Sequence, residues 1–119
     1  MKYLCLVYLD ENRLDELPDE ECVAYDTEIR NSNHCIASEA LESVATATTV
    51  RVRNGKTSVT DGPFAETKEQ LAGFYMIEAR DLNEAIQVAA GIPPARVGSI
   101  EVRPIRPIRE TVAAMAKEG

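Results

Sequence analysis

Tyr3-Leu4-Cys5-Leu6-Val7-Tyr8-Leu9 is a continuous apolar run of strand length, with enough aromatic and β-branched character to prefer extended backbone. Successive side chains of a strand point to opposite faces, so a run that is apolar at every position needs cover on both sides. Phe74-Tyr75-Met76-Ile77-Glu78-Ala79 is a second, largely two-sided run of the same kind. Two such strands are central strands, and the fold has to supply something to pack on each of their faces.

The rest of the chain supplies one of those covers. Pro18 suits a first helical turn, where its missing N–H costs nothing, and Asp19, Glu20 and Glu21 sit well at the positive end of the dipole. Cys22, Tyr25, Ile29 and Ile36 recur near helical spacing, with Glu28 and Arg30 outside that stripe. Asn31-Ser32-Asn33 reads as the helix exit, before His34. A short segment from Ile36 to Val44 is compatible with a strand. Thr48 to Arg53 then alternates, with Val50 and Val52 on one face and Arg51 and Arg53 on the other. Asn54-Gly55 accepts the positive φ of a type I′ turn, and Lys56 to Thr60 returns with Val59 inward.

Asp81-Leu82-Asn83-Glu84 fits a capping box that opens a second helix, with Leu82, Ala85, Ile86, Ala89 and Ala90 as its buried face. Gly91, Pro93 and Pro94 end it, and Ser99 to Arg103 alternates as a last, edge-type strand. Prolines keep Pro104 to Arg109 out of a central strand, and Glu110 to Lys117 has the makings of a short helix. The order strand, helix, hairpin, loop, strand, helix, strand predicts an α+β fold of ferredoxin-like, split β-α-β type with an antiparallel sheet. Two helices cover one face of such a sheet. A second copy covering the other is the simplest solution, so a homodimer is expected. Residues 1–106 form the expected domain and 107–119 a tail.

Composition limits the partners. Thirteen Lys and Arg against 20 Asp and Glu give a net charge of −7, which disfavours direct nucleic-acid binding because that binding depends on neutralising phosphates. Asp10, Glu11, Asp15, Glu16, Asp19, Glu20 and Glu21 form an acidic run of the kind that is usually a solvated face. No apolar run is long enough to span a bilayer and no leader pattern precedes the first strand, so a cytoplasmic protein without membrane contact is expected. Cys5, Cys22 and Cys35 read as free, reduced thiols, and one histidine without a Cys-x-x-Cys gives no metal-site spacing.

Val59-Thr60-Asp61-Gly62-Pro63-Phe64-Ala65-Glu66-Thr67-Lys68-Glu69-Gln70 resembles the signature of the DGPF family, part of the YCII-related proteins. The likeness extends to Thr46–Arg53 upstream, and downstream to Gly73-Phe74-Tyr75, Ala79–Leu82 and Gly98–Pro104. The resemblance implies a dimeric α+β barrel, in which two subunits pack their sheets together. It implies no established reaction, and an association with sigma-factor genes makes a sigma factor or other protein partner an option. In the wider group a histidine near the first helix has been paired with an aspartate as a catalytic device. Here His34 lies at the far end of that helix, so the pair does not carry over.

The segment 61–75 is the candidate site. Asp61-Gly62-Pro63-Phe64 makes a turn, with Phe64 expected in the core, and Thr67-Lys68-Glu69-Gln70 has capping-box spacing for one helical turn. If that loop folds over the barrel mouth, Glu66, Lys68, Glu69 and Tyr75 converge with Asp61, Arg51 and Arg53 on a polar-rimmed, apolar-floored cleft. Asp61 is then a candidate general base, with Arg51 or Lys68 stabilising negative charge, and His34 a candidate proton shuttle. Three classes stay open: a small-molecule binding protein or cofactor-independent enzyme of isomerase or lyase type, a transcription-linked interaction module, and a structural dimer.

Overall fold

A computed structural model describes residues 1–118. Strand β1 (Lys2–Leu9) leads through a 3-10 turn (Glu11–Glu16) into helix α1 (Asp19–Asn31) and strand β2 (Cys35–Ala40). A hairpin of β3 (Thr48–Arg53) and β4 (Lys56–Asp61) precedes β5 (Gln70–Glu78). Helix α2 (Leu82–Ala90), β6 (Ser99–Pro104) and helix α3 (Ile108–Glu118) complete the chain.

The main sheet has the order β2-β5-β1-β6, with every neighbouring pair antiparallel. Strands β1 and β2 therefore run parallel with β5 inserted between them, and β5 and β6 run parallel with β1 between. This is the doubled split β-α-β topology expected from the element order.

Register explains how the two-sided strands are used. Tyr3, Cys5 and Val7 of β1 face the helices and are buried with Ile77, while Ile29 of α1, Ala85 and Ala89 of α2, and Ile92 close the core over them. The alternate set faces the other way: Leu4 lies opposite Met76 and Leu6 opposite Phe74, and all four are only half-buried. The second apolar face exists and lies open in the single chain. Burial pushes the Cys5 thiol up to about 11, so it stays protonated and unreactive.

Local signals for α1 and α2 hold. Asn33 (φ 64°) ends α1 in the left-handed region, and Asn54 and Gly55 take φ 53° and 75° at the hairpin tip. Asp81 Oδ1 accepts from the Glu84 N–H at 2.9 Å. The reciprocal arm of this box reaches one residue further, since the Arg80 N–H donates to Glu84 Oε1 at 3.1 Å.

Several expectations about burial fail. Phe64 does not enter the core; it is 81% exposed. Ile36 belongs to β2 and not to the α1 stripe, and it is exposed, as are Leu82 and Ile86 of α2. Ala85 and Ala89 are the buried residues of α2, Val88 packs against the core partly buried, and Ala90 is exposed. Val59 does not point inward, since β3 and β4 pair only with each other and join no core. Thr67 starts no helical turn. Its hydroxyl donates to the Glu69 carbonyl at 2.6 Å, and the Gln70 amide donates to the Thr67 carbonyl at 3.0 Å, which holds an irregular loop.

Candidate functional site

A cleft of about 720 Å³ lies between α1, the edge strand β2, the 3-10 turn and the facing ends of β1 and β5. Leu9, Leu14, Leu17, Val23, Phe74 and Tyr75 give it a largely apolar lining. Its polar station is a ring of three side chains. Asp26 and Arg30 stand one helical turn apart on α1, and Arg30 Nε meets Asp26 Oδ2 at 3.0 Å. Ser38 of β2 donates to Asp26 Oδ1 at 2.5 Å and accepts from Arg30 at 3.0 Å.

Strand pairing sets the fourth member: Ser38 lies directly opposite Tyr75, so the phenol enters the cleft beside the ring. Burial first, and the Asp26 charge second, push the Tyr75 hydroxyl up to about 12. At neutral pH it is a hydrogen-bond donor and no base. Tyr25 packs edge-on against it, with ring centroids 6.1 Å apart, and donates its own hydroxyl to the Val88 carbonyl at 2.6 Å. Cys22 also lines the cleft, but burial and then the nearby Glu21 and Asp19 charges push its thiol up, which removes thiolate character.

These tyrosines give a pH prediction. Burial also pushes Tyr25 up to about 12, so both phenols hold their protons more tightly folded than unfolded. That stabilisation is complete below pH 10, the ordinary tyrosine value, and is lost as pH rises through about 12. Melting temperature should therefore fall steeply across that window, and Tyr75→Phe should soften the fall. Ultraviolet titration of the native protein, with Tyr25→Phe and Tyr75→Phe to assign the steps, should place both phenols well above pH 10. Ionisation of Tyr25 and Tyr75 near pH 10 would contradict it.

The wall opposite α1 is held by Glu11. Its carboxylate accepts from the Val44 N–H at 2.8 Å and the Ser43 hydroxyl at 2.9 Å, while its own N–H donates to Gln70 Oε1 at 3.1 Å. One residue of the acidic run thus ties three segments together instead of simply facing solvent.

Of the candidate site residues taken from the sequence (Arg51, Arg53, Asp61, Glu66, Lys68, Glu69, Tyr75 and His34), Tyr75 alone lines this cleft. Asp61 ends β4, and Arg51 and Arg53 lie on β3 of the protruding hairpin. Glu66 and Lys68 are exposed in the following loop, and Glu69 accepts from the Ser99 hydroxyl at 2.8 Å. His34 sits outside the cleft, with Nδ1 3.0 Å from the Glu78 carbonyl and 3.9 Å from Glu84 Oε1, bracing the exit of α1 against β5 and α2. A single chain does not bring these groups together. Asp26, Arg30 and Ser38 were missed because only the β2–β5 register aligns them with Tyr75. The available signal was the Asp26–Arg30 spacing beside the apolar stripe.

A model of the YCII-related domain matches residues 1–109. The chain belongs to the YCII-related family. An uncharacterised protein of Rhizobium meliloti (strain 1021) is 52% identical to this YCII-related chain over 61 residues. That match covers 50% of this chain and 49% of the relative, so the chain spans about half the length of the curated relative it matches. Among solved structures, 5-chloro-2-hydroxyhydroquinone dehydrochlorinase from Burkholderia phenoliruptrix, in complex with 2,5-dihydroxybenzoquinone, is similar in fold. The TM-score is 0.55 at 14% identity, over 89% of this chain and 94% of that one. Among the described residues no helix is long and apolar enough to cross a membrane.

Proposed function

We propose that this YCII-related protein is a homodimer that binds a small, neutral, hydroxylated ring compound in the α1–β2 cleft and acts on it by proton transfer. The Asp26–Ser38–Arg30 ring beside the Tyr75 phenol, set in an otherwise apolar cleft, carries this reading. An apolar lining with few convergent polar groups is the usual form of a small-molecule site. The half-open face of Leu4, Leu6, Phe74 and Met76 supports a second copy as its cover.

The chemistry suits an isomerase or lyase. In the keto tautomer of such a ring, Asp26 takes a proton from the carbon next to the carbonyl. The electron pair moves onto the carbonyl oxygen, where Arg30 and the Tyr75 hydroxyl stabilise it. Return of that pair either accepts a proton at another carbon or expels a leaving group. Glu11, Asp19, Asp26, Glu39 and Glu42 line the cleft against the single guanidinium of Arg30, so neutral ligands are favoured over anions.

A thermal-shift series tests the reading with hydroquinone, catechol and 2,5-dihydroxybenzoquinone, the last of which is anionic at neutral pH. The neutral phenols should raise the melting temperature more than the quinone. Asp26→Asn should abolish the rise, and Asp61→Ala, outside the cleft, should keep it. Equal shifts in wild type and Asp26→Asn would remove Asp26 and the cleft from consideration.

A further inference from the structure

The β3–β4 hairpin is the part of the molecule that its own chain leaves unexplained. Its register places Val50 opposite Val59 and Val52 opposite Thr57 on one face, and Arg51 opposite Ser58 and Arg53 opposite Lys56 on the other. The valine face is uncovered: Val50, Val52 and Val59 are 60%, 58% and 64% exposed. A two-stranded hairpin alone is marginal in water and needs something to pack on. Its base is nevertheless fixed. The Gly62 N–H donates to the Ala47 carbonyl at 2.8 Å, and the Thr49 hydroxyl donates to the Gly62 carbonyl at 2.9 Å. With the exposed helix α3 it gives the chain a radius of gyration of 17.2 Å, against roughly 13.5 Å for a compact domain of this length.

Two surfaces of the same chain complement this arm. The second sheet face offers Leu4, Leu6, Phe74 and Met76 to an apolar partner. The cleft rim next to it is acidic, and the arm's polar face is basic through Arg51, Arg53 and Lys56. The two demands are compatible. Strands of a ribbon lie about 5 Å apart, so a long arginine side chain reaches past the edge toward whatever lies under the valine face.

We infer that the hairpin acts in trans: its valines pack on the sheet of a second copy, and Arg51 and Arg53 reach the acidic rim of that copy's cleft. Each site is then completed by the other chain, and the two arginines offset only part of the acidic rim: five carboxylates still outnumber three guanidiniums, so the preference for neutral ligands stands. The inference rests on the dimer proposed above and adds to it where the arm goes.

Hydrogen exchange of the full chain across a dilution series, with sedimentation equilibrium on the same samples, tests it. Hairpin amides from 48 to 61 should gain at least about tenfold protection as dimer replaces monomer. Arg51→Glu with Arg53→Glu should weaken the dimer at least about tenfold at low salt and flatten its salt dependence. Circular dichroism should show the double variant folded, since neither residue belongs to the core. A monomer at all concentrations overturns both the dimer and the trans arm. A dimer whose hairpin exchanges as fast as the monomer's overturns the trans arm alone. Protection on dimerisation with no effect of the double substitution overturns the role given to the two arginines.

Discussion

Gly98→Ala should be among the most damaging single-atom additions to this protein. A Cβ at Gly98 would overlap the Tyr8 carbonyl oxygen and lie 3.2 Å from its carbon, and both are backbone atoms that cannot rotate away. Gly98 is also pinned from behind, because its N–H donates to the Pro94 carbonyl at 2.7 Å and Arg13 holds the neighbouring Val97 carbonyl at 2.9 Å. Relief requires β6 to pull away from β1 at the Tyr8–Ser99 pair, opening the edge of the main ladder. A cost of about 3 kcal/mol or more is expected, which for a chain of this size lowers the melting temperature by on the order of 10 °C. Gly55→Ala is the control: open space surrounds it, but its φ of +75° disfavours a side chain, so it should cost only about 1–2 kcal/mol. Calorimetry showing Gly98→Ala within about 2 °C of wild type would mean that β6 is far more loosely held than its ladder implies.

That glycine illustrates what the sequence could and could not convey. Gly98 fell within the stretch that marks the family, yet nothing local distinguishes a glycine required by close backbone approach from one that merely turns a loop. Periodicity, by contrast, located the helices and strands, because a two-sided run such as Tyr3–Leu9 has few physical solutions and the Pro18, Asn33, Asn54-Gly55 and Asp81 signals act within a few residues. Burial at a distance was less legible. The alternation of Val50 and Val52 correctly predicts a strand with an apolar face, but no pattern says whether that face meets its own core or a second copy. Hydrophobicity alone predicts a buried Phe64, but it lies exposed in the loop that follows the protruding hairpin.

The candidate site was hidden for a related reason. Asp61, Arg51, Arg53 and Lys68 lie in or near the most recognisable motif of the sequence. The ring in the cleft joins α1 to β2 and β5, with Tyr75 separated from Asp26 by some 50 positions. Only the crossover that inserts β5 between β1 and β2 puts Ser38 opposite Tyr75 and hence beside Asp26.

The same register makes Ile77 the sharpest test of how core and site divide the work. Ile77 is fully buried, lies opposite Tyr3 on one side and Cys35 on the other, and points to the same face as Tyr75 two residues earlier. Ile77→Ala removes three carbons from a position between two strands, in the core that α1 and α2 close, where the backbone has little freedom to collapse. Transfer and cavity terms together give a loss of about 2–5 kcal/mol, with Ile77→Val nearer about 1 kcal/mol. Asp26→Asn should behave oppositely. Its ion pair with Arg30 is partly exposed, with Asp26 at 32% and Arg30 at 55%, and Asn keeps an acceptor for the Ser38 hydroxyl, so stability should change by about 1 kcal/mol or less. The neutral phenols should nonetheless lose their effect on that variant. Denaturant titration and the phenol series on both variants therefore form a crossed test: Ile77→Ala loses stability while its folded fraction still binds, and Asp26→Asn keeps stability but does not bind. If Asp26→Asn instead unfolded as readily as Ile77→Ala, the polar ring would be a brace between α1 and β2, and the cleft would lose its claim to chemistry.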